Sequence, residues 1–273
     1  VARRHTVDDI ALDYQSARDR GDRDAMARLQ NQEACLVLLT VMEQLAANPD
    51  SFIHEVAVKG GILMAGELRS PRTSADIDLT SGHLKRVDLR RVAREVREAG
   101  RAFRVRSDGE PERTQGGDLI RLAFESLTDG GTAKLEISIR ENLVFAVRNA
   151  VFDVSDLGLM PFELPALAEV ELVAEKLRAL VQRAQPRDLY DLWLYLTESS
   201  WSLDHRDLAR AVEAKLGTTR HKRWRDGLWK THLGEIERLW SPTLVEWIEP
   251  DQIPDFDETV AVVAGRMREL RLA

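Results

Sequence analysis

The spacing of apolar positions changes character twice along the 273-residue chain. The first fifty residues read as helix: Asp8 to Arg18 is mixed, and Asp22 to Gln44 grows steadily apolar (Leu36, Val37, Leu38, Leu39, Val41, Met42), as a helix packed on a sheet would. From residue 55 the runs shorten into β-like segments at 55–59, 76–80, 102–106, 118–126, 133–140 and 144–153. Ile62 to Leu68 reads as a short helix and 84–99 as a longer one, and Ser107-Asp108-Gly109, Gly116-Gly117 and Asp129-Gly130-Gly131 mark turns. Past Pro165 strand signals fade: 168–183, 187–197 and 257–271 are helical, with Pro242, Pro250 and Pro254 marking a loop before the last. All six tryptophans lie at residue 193 or later, and Trp193 and Trp240 stand at spacings that suit a helical core; the alternative is an interaction surface. The pattern predicts an α+β fold, a mixed sheet with flanking helices over residues 1–165, followed by a helical domain over 166–273.

Candidate chemistry sits at two places. Val58-Lys59-Gly60-Gly61 ends an apolar strand in a glycine pair that leads into a helix, an arrangement that lets backbone amides approach an anion. A polar loop then leads to Asp76-Ile77-Asp78-Leu79, where alternation puts both carboxylates on one face of a strand. Glu136 and Ser138 repeat that alternation in Lys134-Leu135-Glu136-Ile137-Ser138-Ile139. If the two strands are neighbours with these faces aligned, Asp76, Asp78 and Glu136 converge as oxygen ligands for Mg²⁺, with room for phosphate oxygens. The plain alternatives are surface charge for the Asp-x-Asp pair, an exposed alternation residue for Glu136 and an exposed strand-end lysine for Lys59. The second place is Glu175-Lys176 and Arg187-Asp188-Leu189-Tyr190-Asp191, on helices joined by only Ala184-Gln185-Pro186. These helices are antiparallel neighbours, with Lys176 and Asp191 at matching heights at ~1.5 Å rise per residue. The pair reads either as a surface salt bridge or as a lysine delivered to nucleotide phosphates and held by Asp188 or Asp191.

Composition narrows the setting. The net charge of −7 argues against a protein that coats nucleic acid nonspecifically. Two local basic stretches, Arg86, Arg90, Arg94, Arg97 and Arg101 at helical spacing and Arg220-His221-Lys222-Arg223-Trp224-Arg225, read either as solvated helix faces balanced by Asp88, Glu95, Glu98 and Asp226 or, together, as an RNA backbone track. Cys35 is the single cysteine, which leaves no disulfide framework and no thiolate cluster. No apolar run reaches membrane-span length, and the start Val1-Ala2-Arg3-Arg4-His5 is followed by acidic residues, not a signal-peptide core, so the cytoplasm is the expected location.

Taken together, Lys59-Gly60-Gly61, Arg72-Thr73-Ser74-Ala75-Asp76-Ile77-Asp78-Leu79, Glu136, Ala174-Glu175-Lys176 and Arg187-Asp188-Leu189-Tyr190-Asp191 resemble, in order over about residues 55 to 195, the AbiEii group of AbiE-type nucleotidyltransferase toxins, which includes the mycobacterial MenT toxins. The resemblance implies a polymerase-β-like nucleotidyltransferase domain with a helical domain after it. It implies Gly60 and Gly61 at an NTP triphosphate, Asp76 and Asp78 on Mg²⁺, and Lys176 and Asp191 as essential cleft residues. Ser74 matches a family position close to the nucleotide, phosphorylated in some members; as a residue in a loop it also reads as a turn serine. The implied acceptor is the tRNA 3′ end, and the implied partner a separately encoded antitoxin. Other acceptors (a protein hydroxyl, Ser74 itself or a small molecule) and an inactive nucleotide-binding partner module are the competing readings.

Overall fold

The computed structural model describes residues 7–82, 86–197, 203–217, 219, 223–225 and 227–272, and the chain folds as two units. The first takes the chain through Glu141, then Val147–Ala166 and Glu246–Glu249. The second takes Asn142–Ala146, Leu167–Val245 and the chain from Pro250.

The first unit is organised on one helix that is buried on nearly all sides. Helix α1 (Val7–Arg20) is followed by α2 (Arg23–Ala46), which starts where the Asp22 carboxylate accepts a hydrogen bond from the Ala25 amide at 3.1 Å. Leu36 through Leu39, Val41 and Met42 are all buried, so α2 needs apolar cover all round. It receives cover from α1, α3 (Gly60–Glu67), α4 (Leu89–Ala99), β2 (Asp76–Thr80), β6 (Thr132–Ser138) and β8 (Phe162–Ala166). Ile10, Tyr14 and Ala17 of α1 extend the core over Ala25, Leu29 and Leu36.

The mixed sheet runs β3 (Arg106–Ser107), β5 (Gly117–Ala123), β6, β2, β1 (Ala57–Lys59), β8 and β7 (Arg148–Phe152), with β4 (Glu112–Arg113) beside β5. Strand β2 lies parallel to β6 and antiparallel to β1, and β1 lies parallel to β8. Ile77, Leu79, Leu135 and Ile137 are buried on one face, which leaves Asp76, Asp78, Lys134 and Glu136 on the other.

Several elements differ from the sequence pattern. The run 102–106 is extended only at its end, where Arg106 opens β3: Arg101–Phe103 is a 3₁₀ turn, Arg104 is left-handed at φ 49°, and Val105 tucks against Gly100, where a Cβ would overlap it. The strand at Phe162–Ala166 is hidden in the sequence by Pro165. It is tolerated there because β1 pairs with β8 only at Val58 and Ala166, so no ladder bond from Pro165 to β1 is lost. Helix α4 begins at Leu89, capped by Asp88, and not at residue 84; residues 83–85 lie outside the described residues. Pro242 falls in the last turns of α8 (Leu233–Leu244) and not in a loop.

In the second unit α5 (Glu169–Gln182) packs on α6 (Pro186–Thr197) and α7 (His205–Leu216), while α6 packs on α8 and α9 (Phe256–Glu269). The fully buried Glu171 accepts hydrogen bonds from the amides of Val144 (2.5 Å) and Phe145 (3.0 Å) and pairs with buried Lys215 at 2.9 Å. Lys215 also reaches Glu175 at 3.1 Å. This buried charge fastens Asn142–Ala146 to the helices, and Arg210 lies over the Phe145 ring. Trp229 and Trp240 are core, the latter donating its indole N–H to the Pro254 carbonyl at 2.8 Å. Trp201 and Arg220-His221-Lys222 lie outside the described residues; Trp224 donates to the Leu272 carbonyl. No helix among the described residues is long and apolar enough to cross a membrane.

Glu33 of α2 is buried in the first unit and accepts bonds from Ser126 Oγ (2.6 Å), the Leu127 amide (2.6 Å) and Thr128 Oγ1, pinning the turn between β5 and β6. Glu33→Ala strands these donors and is expected to cost about 2–4 kcal/mol. A lower urea midpoint at unchanged m-value is the measurement.

Candidate active site

Strand β1 passes directly into α3 at Gly60, two residues before the helix start the sequence suggests. Gly60 has φ +72°, and a Cβ there would run into the Asp78 carboxylate. A Cβ on Gly61 would lie 2.6 Å from an Arg72 guanidinium nitrogen and 2.8 Å from Ser74 Oγ. The N-cap residue, Lys59, provides no side-chain cap, so the first amides of α3 are not engaged by a capping side chain.

The two carboxylate strands are neighbours. Asp78 stands in register with Glu136 on β6 and with Lys59 on β1, and Asp76 with Lys134, so these side chains share the open face of the sheet. Partial burial, then the like charges of Asp78 and Asp76, raise the Glu136 carboxyl above its ordinary range, against the opposing pull of Lys134 and Lys59. Hard oxygen donors beside excess negative charge fit a hard divalent cation. Among the described residues, however, no three His, Cys, Asp or Glu side chains are arranged to hold a metal. The expected trio Asp76, Asp78 and Glu136 is thus not assembled as a protein-only ligand set, and a cation on the aspartates would need substrate oxygens to complete its shell.

Lys59 is not an exposed strand-end lysine. Its side chain is largely buried and its ammonium pairs with Glu141. Ser74 is buried too, and its hydroxyl donates to the Asp76 carbonyl at 3.2 Å, the turn role its loop position suggests. Arg72 of the same motif run has no role that the sequence pattern assigns. It is buried with Nη1 donating to the Thr73 carbonyl at 2.9 Å, and no periodicity marks an arginine in a polar loop. The Thr73 amide in turn donates to the Trp247 carbonyl at 3.2 Å, so Glu246–Glu249 fastens this loop within the first unit.

In the second unit Lys176 Nζ lies 2.6 Å from Asp191 and 3.3 Å from Asp188, both carboxylates buried. Both aspartates therefore hold the lysine, and the pair is no surface bridge. Arg183 grips Asp188 through Nε (2.7 Å) and Nη2 (3.0 Å), a contact periodicity does not reveal. Burial pushes the Asp188 carboxyl up, but the charge of Lys176 and the hydrogen bond and charge of Arg183 outweigh it, and the net shift is downward. Of the arginine stripe, Arg90, Arg94 and Arg97 are exposed on α4, whereas Arg86 precedes the helix and is spent on Asp118 and the Thr114 carbonyl.

A mixed sheet thus presents an Asp-x-Asp strand against a glycine-started helix, a pairing suited to phosphate oxygens and a hard cation. The family model described as nucleotidyl transferase AbiEii toxin, type IV TA system, matches residues 44–262, and the chain belongs to that family. Among solved structures it is similar to MenT4, a nucleotidyltransferase toxin from Mycobacterium tuberculosis H37Rv, at 21% identity and TM-score 0.61 over 96% of this chain and 88% of that one. It is also similar to JHP933 from Helicobacter pylori, at 18% identity and TM-score 0.53 over 86% of this chain and 88% of that one. At these identities the likeness speaks for the fold. No curated protein matches.

Two outcomes are expected. Gly60→Ala costs about 1–2 kcal/mol for the left-handed backbone alone, before the overlap with Asp78 is counted, whereas Gly265→Ala in α9, where a Cβ meets nothing, is neutral or stabilising; urea melts of both variants check this. Because the Asp188 carboxyl is depressed in the folded state, its contribution is full above its unfolded value of about 3.9 and is lost as pH falls through the folded value. Unfolding midpoints of Asp188→Asn should accordingly vary less with pH below about 4 than those of wild type.

Proposed function

We propose that this protein transfers a nucleoside monophosphate from an NTP to the 3′ end of tRNA, blocking translation in the cytoplasm until a cognate antitoxin counters it. The observation that carries the transferase chemistry is the Gly60 backbone lying against the Asp78 carboxylate at the uncapped start of α3. Amides there favour triphosphate oxygens. Asp76 and Asp78 would hold Mg²⁺, which when bound neutralises phosphate charge. The acceptor hydroxyl attacks the α-phosphorus as the bond to pyrophosphate breaks, and the protein contributes positioning and charge stabilisation. Lys176 is an essential cation in this reading, with Asp188 and Asp191 holding its ammonium in place. The tRNA acceptor and the antitoxin rest on membership of a type IV toxin–antitoxin family, and exposed Arg90, Arg94 and Arg97 suit an RNA backbone.

The test is total RNA incubated with each α-³²P NTP in turn. Wild type is expected to label bands of tRNA length, and Asp76→Ala to lose at least about a hundredfold in rate, the scale for removing a group that stabilises transition-state charge. Label on protein or on a small molecule would overturn the RNA reading, and undiminished transfer by Asp76→Ala would overturn the site. Transfer from γ-³²P NTP to Ser74 would instead identify phosphotransfer.

A further inference from the structure

We propose that Lys134 binds a backbone phosphate among the last nucleotides of the acceptor RNA, beside the 3′ hydroxyl that reacts; this rests on the reading of Asp76 and Asp78 as the centre of transfer to tRNA. Lys134 is fixed next to Asp76 by the backbone. The two residues are in register on the parallel strands β6 and β2, and the Lys134 amide donates to the Ala75 carbonyl at 3.3 Å. Alternation puts the lysine on the open face of the sheet with Asp76, Asp78 and Glu136. Its side chain is exposed, and among the described residues no carboxylate lies within ion-pair distance of its ammonium. Arg121 continues the row on β5, but its guanidinium is tied to Glu112. Lys134 is thus the available cation of this row, and its charge acts on Glu136 against burial and the charges of Asp78 and Asp76.

The sheet order decides which reactant the lysine meets. Strand β2 lies between β1 and β6. The glycine cradle for a triphosphate follows β1, on one side of the aspartates, and Lys134 stands on β6, on the other. Neighbouring strands are about 4.8 Å apart, so the two lie roughly 10 Å from each other across the sheet. Displacement at phosphorus sets the attacking and leaving oxygens in line. With pyrophosphate departing toward Gly60, the acceptor hydroxyl comes from the β6 side. The RNA strand that carries this hydroxyl brings its own phosphates toward three carboxylates, on a chain of net charge −7. An ammonium at Lys134 offsets that repulsion where the strand arrives.

The test is equilibrium binding of 5′-labelled tRNA to the full chain, without NTP, over a series of NaCl concentrations. Lys134→Gln should raise the Kd about three- to tenfold and reduce the slope of log Kd against log [NaCl] by about 0.7–0.9, the share of one phosphate. Lys134→Arg, which keeps the charge, should restore both. With tRNA shortened by its last few 3′ nucleotides, Lys134→Gln should matter less than about twofold, since the contact it removes is already gone. An equal effect on whole and shortened tRNA, or an unchanged salt slope, would overturn the proposal. So would a raised KM for NTP with unaltered tRNA binding, which would put Lys134 on the triphosphate. Wild-type protein that binds no tRNA would bring down the tRNA reading itself, whereas wild-type binding to which Lys134 adds nothing would bring down only this inference.

Discussion

The register between β2 and β6 is the constraint on which the candidate site depends. Ile77 beside Leu135 and Leu79 beside Ile137 bury one face of the sheet, and alternation then leaves Asp78 beside Glu136 on the other. A slip of one residue would bury the aspartates and expose the isoleucines, so burial of the core and exposure of the carboxylates are one condition. The buried helix α2 enforces it, because its apolar surface needs those side chains as cover. Gly60 completes the arrangement: its left-handed backbone turns the chain from β1 into α3 at the one point where the Asp78 carboxylate leaves no space for a side chain.

Buried charge is used in both units, each time with its compensation built in. In the first, Lys59 is matched to Glu141, while Glu33 is spent on backbone and hydroxyl donors of one turn. In the second, Glu171 and Lys215 bring a short segment of chain onto the helices, and Asp188 lies between Lys176 and Arg183. Such groups add less to stability than apolar packing of equal volume would, but losing one partner leaves a charge stranded. Their effect is to allow a small number of arrangements. For Lys176 that means an ammonium held by two carboxylates on a neighbouring helix, far more constrained than a surface lysine.

The site is most legible in the sequence where period and chemistry agree. Asp76, Asp78 and Glu136 could be put on like faces of two strands, and Lys176 opposite Asp191 across a short connection, from alternation and helical rise alone. It is hidden where local signal is weak or misleading. Val105 sits in an apolar run that looks extended, but the chain turns through a left-handed Arg104 to bury it. Pro165 masks β8, and Pro242 suggests a loop where a helix is still running. Arg72, Arg183 and Glu141 carry no periodic signature, so nothing local connects them to Gly61, Asp188 and Lys59.

What the chain determined by itself was which residues could share a face and which helices must meet, because alternation, helical rise and a short connection are local properties. With them came the motifs that resemble the AbiEii family, whose model matches residues 44–262. Tertiary structure alone decided that β2 and β6 are neighbours, that the Gly60 backbone closes on Asp78, and that Lys59 is matched to a glutamate 82 positions further on. Those contacts join residues far apart in the chain, and the balance of burial and charge that selects them exists only once the core has closed.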